Sequence, residues 1–337
     1  MKVLALLIAL LSPLTGTAAQ IIWQGANAGV VTGHGASSET VDQTIGVNYG
    51  ATALAFGPGG ELWVGSNAAP IVAYDTATGQ VVNSINSLYG ATALAVDNAG
   101  TLWVGANAGQ ILGYDTMSGT LTGTINSLYG PTSLAFDGLD RLWVGANAGQ
   151  LIAYDTGTGA SVGSITINYG ATALAFDAGG ILWVGSHAGV IEGYSPGTGL
   201  LVASLNTPYA TTALAFDASG RLWQGSGAGV ILGFDTGTGA STASLTSSYA
   251  TTAFAIAPVP IPAAAWLFGG ALGLLGGVRR RRADLQARVQ VPHGARSARL
   301  ASSKSNRYKD SNLKPQSAAF VWLARPAFRA FSSQESS

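Results

Sequence analysis

Between residues 92 and 125 the chain alternates short apolar runs with polar, glycine-bearing breaks. The runs are Thr92-Ala93-Leu94-Ala95-Val96, Leu102-Trp103-Val104-Gly105, Ile111-Leu112-Gly113-Tyr114 and Leu121-Thr122-Gly123-Thr124-Ile125. They are separated by Asn98-Ala99-Gly100, Asn107-Ala108-Gly109 and Thr116-Met117-Ser118-Gly119. Runs this short, bounded by Gly, Asn and Ser, predict four β-strands joined by tight hairpins. Apolar and polar positions do not alternate cleanly within them, so both faces of the small sheet must be covered.

The pattern recurs with a period of 40 residues, marked by Trp23, Trp63, Trp103, Trp143, Trp183 and Trp223. Gly25, Gly65, Gly105, Gly145, Gly185 and Gly225 follow in step, and the string LWVGANAGQ occurs unchanged at residues 102–110 and 142–150. A fixed period of this length implies stacked supersecondary units. Four-stranded sheets packed face to face around an axis cover both faces of each sheet, so residues 20–258 are expected to form an all-β, six-bladed β-propeller. The first unit begins at Ile21-Ile22-Trp23 without a leading strand, and Thr251-Thr252-Ala253-Phe254-Ala255-Ile256 supplies one after the last complete unit. Pairing the two ends of the segment within one blade would close the ring and remove its open edge. An open β-solenoid is the alternative, but its usual period is shorter and nothing in it requires that closing strand.

Composition narrows the chemistry. Charged residues are 9% of the chain, well under the ~25% of ordinary soluble domains, so a nucleic-acid partner is not expected. The chain contains no Cys, which removes disulfides, thiol nucleophiles and Cys-ligated metals. Its formal net charge of zero is a cancellation: residues 20–258 hold two bases against thirteen acids, and residues 259–337 hold thirteen bases against three acids.

The basic excess belongs to the C-terminal part. Val259-Pro260-Ile261-Pro262-Ala263 leads into an apolar run whose residues 263–278 carry no charge, followed by Arg279, Arg280, Arg281 and Arg282. Sixteen uncharged residues are slightly short of the ~20 of a comfortable membrane helix, and an arginine block holds its own end on the cytoplasmic side. At the other end, Lys2, the apolar run Val3 to Leu11 and the small residues Thr17-Ala18-Ala19 have the layout of a secretory signal peptide over residues 1–19. Both segments place the 20–258 body outside the cytoplasm. The stretch from Val259 to Arg282 resembles the PEP-CTERM sorting signals, in the variant with an apolar residue between the prolines. That resemblance implies a Gram-negative bacterium, an exosortase-type processing enzyme as partner, and release or attachment at the cell surface. An ordinary C-terminal anchor is the plainer alternative. Residues 283–337 are basic and rich in Ser, Ala and Arg, which reads as a disordered extension.

Within the body, the ordered motifs A-x-x-L-A-F-D, G-x-L-W-V-G and G-Y-D-T-x-T-G resemble propeller repeats of the NHL and streptogramin-lyase type. This resemblance implies the fold and leaves activity open, since that class holds binding modules as well as enzymes. The Trp ring reads as packing between blades. Asp97, Asp137, Asp177 and Asp217, with Asp75, Asp115, Asp155 and Asp235, read as turn-capping residues; the calcium alternative lacks a D-x-D-x-D-G spacing, and no metal or other cofactor is expected. Tyr49, Tyr89, Tyr129, Tyr169, Tyr209 and Tyr249 each precede an innermost strand, which brings them to one end of the ring. Buried packing is the default reading for them, and an aromatic platform for sugar rings is the other.

Asymmetric chemistry is expected where the repeat is broken. His34 occupies a slot held elsewhere by Tyr or Phe, His187 replaces a turn Asn, and Glu192 replaces an aliphatic strand residue. Streptogramin-lyase-like enzymes use His and an acid with a metal, so these three are the weak catalytic candidates that the resemblance implies. The residues together favour a non-catalytic binding module of the cell surface or matrix, with extracellular polysaccharide or an envelope protein as partner. A metal-dependent lyase or hydrolase and a purely structural spacer are the competing readings.

Overall fold

The computed structural model describes residues 20–36, 40–68 and 70–256. The signal-peptide, sorting-signal, membrane-helix and basic-tail assignments, 1–19, 259–282 and 283–337, lie outside these residues. Among the described residues no helix is long and apolar enough to cross a membrane.

Among the described residues, twenty-four strands, β1 (Ile21–Ala26) through β24 (Ala253–Ile256), form six separate four-stranded antiparallel sheets. The innermost strands are β4 (Ala53–Phe56), β8 (Ala91–Val96), β12 (Ser133–Phe136), β16 (Ala173–Phe176), β20 (Thr211–Phe216) and β24. Each lies against the next, and β24 contacts both β20 and β4, so the ring is closed. Residues 20–256 therefore form a six-bladed β-propeller. Blade 1 combines the two ends of the ring in the order β24, β1, β2 (Val30–Gly35), β3 (Val41–Gly46), with Trp23 opposite Ala255 and Gly25 opposite Ala253. The closing pair β24–β1 lies within the described residues.

Residue type follows position in the blade. Innermost strands are rich in Ala because they converge on the axis, whereas each outermost strand keeps a single deeply buried side chain, such as Ile45, Ile125 or Leu245, and turns the rest outward. The six Trp are 0–3% exposed and fill the spaces between neighbouring blades. Two residues after each Trp, glycine lets the next innermost strand approach: a Cβ on Gly65 would lie 2.7 Å from that of Ala91, and one on Gly105 would lie 2.9 Å from that of Pro131.

Two polar devices tie the blades. In four blades the indole Nε1 donates to the Asp at the first hairpin turn: Trp103 to Asp97, Trp143 to Asp137, Trp183 to Asp177 and Trp223 to Asp217, at 2.9–3.0 Å. Blade 2 carries Gly57 at the Asp position, and Glu61 accepts from Trp63 at 3.0 Å instead. These aspartates also cap their own turns, as expected of Asp there; Asp137 Oδ1 accepts from the amides of Leu139 and Arg141. Burial opposes ionisation of Asp137, but donation from Trp143 and Arg141 outweighs it and holds the carboxyl below the usual range. The second device is a ring of six threonines around the axis. Thr52, Thr92, Thr132, Thr172, Thr212 and Thr252 each direct Oγ1 to a carbonyl of the next blade, those of Ala91, Pro131, Ala171, Thr211, Thr251 and Ala51, at 2.5–2.8 Å. A hydroxyl has one proton, and the shorter of its two contacts is the one between blades.

Candidate functional site

Antiparallel order divides the loops between the two ends of the ring. Turns joining the first and second strands of a blade, and the third and fourth, share one end; turns joining the second and third strands share the other with the blade-to-blade connections. Charge divides the same way. Among the described residues, every carboxylate except Glu192 stands at the first end or on the outer strand leaving it, with Arg141 and Arg221 as the bases there. The opposite end carries Asn, Ser, Thr, Gly, Ala, Pro, aliphatic residues, Tyr and one His, without Lys, Arg or exposed carboxylates among the described residues.

That second end carries the six tyrosines. Tyr49, Tyr89, Tyr129, Tyr169 and Tyr249 are 37–49% exposed, and only Tyr209 is half-buried, against the core between blades 5 and 6. The default expectation of buried tyrosines is thus corrected. Five of the six connections are tied to the turn beside them through the backbone, as where Val47 N donates to Gly29 O and Ser127 N to Gly109 O, at 2.8–2.9 Å; in the one carrying Tyr89, Ser87 N donates to Ile85 O. The chain sits so low over the neighbouring turn that a Cβ on Gly50 would come within 2.8 Å of Asn27 O. Tyr49 stands outward above this close approach, and Tyr249, followed by Ala250, is exposed without it. Leu88 and Leu128 are exposed on the same connections, and Asn27, Asn67, Asn107 and Asn147 are exposed on the adjacent turns.

The three catalytic candidates are not brought together. His34 is 1% exposed on the face of blade 1 that meets blade 6; its Nε2 lies 2.8 Å from Gln24 Oε1 and 3.0 Å from Thr32 Oγ1. Gln24 Nε2 in turn donates to Tyr249 O and Thr251 Oγ1, both at 3.0 Å. Glu192 is buried in blade 5, accepting from Asn168 Nδ2 and from the Tyr194 hydroxyl, each at 2.7 Å. Burial, reinforced by that carboxylate, pushes the Tyr194 hydroxyl up to about 12. His187 stands exposed on a turn of blade 5, with blade 6 between it and His34. No group of three or more His, Cys, Asp or Glu able to hold a metal ion occurs among the described residues.

Substitutions that looked like scattered chemistry are instead polar seams between blades. Glu192 joins blades 4 and 5, and Gln24 with His34 joins blades 6 and 1. Gln224 joins blades 5 and 6, its Nε2 donating to Thr207 Oγ1, Tyr209 O and Thr211 Oγ1 at 2.9–3.1 Å. A polar residue in an aliphatic slot is tolerated because the tyrosine-bearing connection supplies its partners. Gln224 lay unmarked in the sequence reading; its signal is its register with Val64, Val104, Val144 and Val184.

Desolvation lowers the pKa of His34 below its ordinary value, with the Asp42 carboxylate only partly opposing it. His34 therefore stays neutral in the fold while the unfolded chain takes up a proton near pH ~6.5. Its contribution is complete above that pH and declines as pH falls through it. The melting temperature is expected to fall between pH 7 and 5 more steeply in the wild type than in His34→Phe, which restores the residue type of Phe234. Parallel curves for the two proteins would remove His34 from this account. No protein-family model matches the chain, and no curated protein matches it.

Proposed function

We propose that this chain is an exported, non-catalytic binding module whose tyrosine-bearing end holds a neutral polysaccharide of the cell surface or extracellular matrix. The single observation that carries the reading is the set of five exposed tyrosines on an end without exposed carboxylates, Lys or Arg among the described residues, beside exposed Asn side chains and His187. Sugar rings present C–H faces that pack on aromatic rings, and their hydroxyls pair with amides and hydroxyls without needing charge. Six near-equivalent positions suit a repeating polymer, since each added contact on one chain is intramolecular. Anionic polymers are disfavoured by the acidic opposite end.

Export is supported by the leader-like residues 1–19, and surface attachment by the likeness of Val259–Arg282 to a PEP-CTERM signal. On this reading residues 263–278 hold the chain in the membrane until an exosortase-type enzyme acts near the proline motif. Streptogramin-lyase-like catalysis is the weaker reading because His34, His187 and Glu192 are separated and two of them are buried in seams.

The test is binding of the purified ring, residues 20–262, to a panel of neutral and anionic polysaccharides, with the Tyr89→Ala/Tyr129→Ala/Tyr169→Ala variant beside it. Each aromatic contact contributes ~0.5–1.5 kcal/mol, so the variant should lose about tenfold or more in affinity while its melting temperature stays near wild type. A ring that binds no glycan is a spacer, and equal binding by the variant moves the site away from the tyrosines.

A further inference from the structure

At the acidic end, far from the tyrosines, a cleft of about 590 Å³ opens between blades 2 and 3. Blade 2 departs from the repeat twice beside it. Gly57 replaces the indole-binding Asp and the Glu61 carboxylate occupies the corner that the Asp side chain would take; Asn83, at a position held by Gly or Ala in blades 3 to 6 and by Gln43 in blade 1, reaches across to donate to Thr116 O at 2.7 Å. Trp63 forms the floor, Glu61 and Asp75 stand on the wall, and Val82 and the 90% exposed Met117 form an apolar flank.

Each carboxylate is anchored through one oxygen. Glu61 Oε1 accepts from Trp63 Nε1, and Asp75 Oδ1 accepts from Ala77 N, Thr78 N and Thr78 Oγ1 at 2.8–2.9 Å. Donation from the Thr78 amide and hydroxyl holds Asp75 below the usual carboxylate range, so it is ionised at neutral pH. Glu61 Oε2 and Asp75 Oδ2 have no hydrogen-bond donor among the described residues, and no base lines the cleft.

Two other blades show what fits beside such a Trp. At the position of Glu61, blades 4 and 6 carry Arg141 and Arg221, whose guanidinium carbons lie 5.7 and 5.2 Å from the ring centroids of Trp143 and Trp223. Blade 2 has the same Trp but supplies a carboxylate where those blades supply the cation. We propose that this cleft is a binding site for an arginine side chain presented by a basic peptide segment. The planar guanidinium bridges Glu61 Oε2 and Asp75 Oδ2, and its aliphatic stem lies along Val82 and Met117. An anion would meet two negative charges, a sugar would find no exposed ring because Trp63 is 0% exposed, and a metal ion would have too few ligands. The site is independent of glycan binding at the opposite end.

The experiment titrates the ring, residues 20–262, with a capped Gly-Arg-Gly peptide and follows the Trp63 indole N–H resonance. The control peptide carries citrulline, which keeps the shape and removes the charge. Saturable shifts with arginine and none with citrulline are expected. The decisive variant is Gly57→Asp/Glu61→Arg, which gives blade 2 the pair that blade 4 already has in Asp137 and Arg141. It should keep or raise the melting temperature, lose peptide binding by about tenfold or more, and leave polysaccharide binding unchanged. No saturable shift at millimolar peptide, or equal binding by a folded double variant, overturns the proposal. Loss of glycan binding in the Tyr variant with peptide binding intact separates the two sites.

Discussion

A chain ended after Thr252 is expected to lose cooperative unfolding altogether, whereas one ended after Pro262 should melt as the intact ring does. Removing β24 takes away the innermost strand of blade 1 and its pairing with β1. Phe254 leaves the core it shares with Ile22 and Trp223, and Ala253 and Ala255 leave the packing around Trp23. Loss of a buried Phe alone costs ~3–5 kcal/mol. The bared edge of β1 and the unsupported flanks of β4 and β20 add to that, against a typical total stability of ~5–15 kcal/mol. An open ring also presents an unpaired strand edge, so association is expected alongside loss of the transition. Thermal circular dichroism and size-exclusion chromatography read both outcomes. A truncated chain that stayed monomeric with an unchanged melting temperature would show that closure adds nothing.

Trp143→Ala is expected to destabilise the ring by ~3–5 kcal/mol, while Asn147→Ala on the same blade changes stability by no more than ~0.5 kcal/mol. Trp143 is 1% exposed and packs on Leu151, Leu174, Leu182 and Tyr194 across the gap between blades 4 and 5. Truncation leaves a cavity and also removes the indole donor from Asp137, whose Oδ2 keeps only Arg141 Nε at 2.7 Å. Arg141 loses the ring it covers at 5.7 Å. Asn147 is exposed on its turn and contributes to no core. For a ring of this size the difference corresponds to roughly 6–20 °C in melting temperature, which calorimetry resolves easily. Trp143→Phe should fall between the two, since it refills part of the cavity without restoring the N–H bond. Equal melting temperatures for the Trp143→Ala and Asn147→Ala variants would mean that the space between blades is not held by these rings.

The contrast between these residues shows which features a single chain reveals. The 40-residue spacing of Trp23 through Trp223 marks one large side chain per blade, and the four runs per unit mark four strands, because both are consequences of local pairing within one repeat. Closure was legible for a similar reason: one unit lacks a leading strand and Thr251 to Ile256 supplies it. The aspartates were legible as turn caps but not as indole acceptors, because the bond from Trp143 to Asp137 depends on the twist of two paired strands. His34 and Glu192 looked like chemistry because each breaks a repeat. Their meaning came from neighbouring segments, Gln24 and Thr32 for the first and Asn168 for the second, and such partners are invisible to a period that compares each blade only with itself.

From residue order alone follow the blade count, the strand count, the Trp packing and the joining of the chain ends, since a repeated hydrophobic pattern can be buried on both faces only by stacking its copies around an axis. The separation of charge required the folded ring. Asp97, Asp115 and Tyr129 lie within 33 residues of one another, yet alternating strand direction sends the two acids to one end and the tyrosine to the other. Exposure of the tyrosines is likewise a property of the folded connections, since the equivalent Tyr209 is half-buried against the core between blades 5 and 6. Beside Trp63, the missing side chain of Gly57 is compensated by Glu61. Strand direction and contact between blades are relations across space, and they turn six nearly identical sequences into a ring with two chemically different ends.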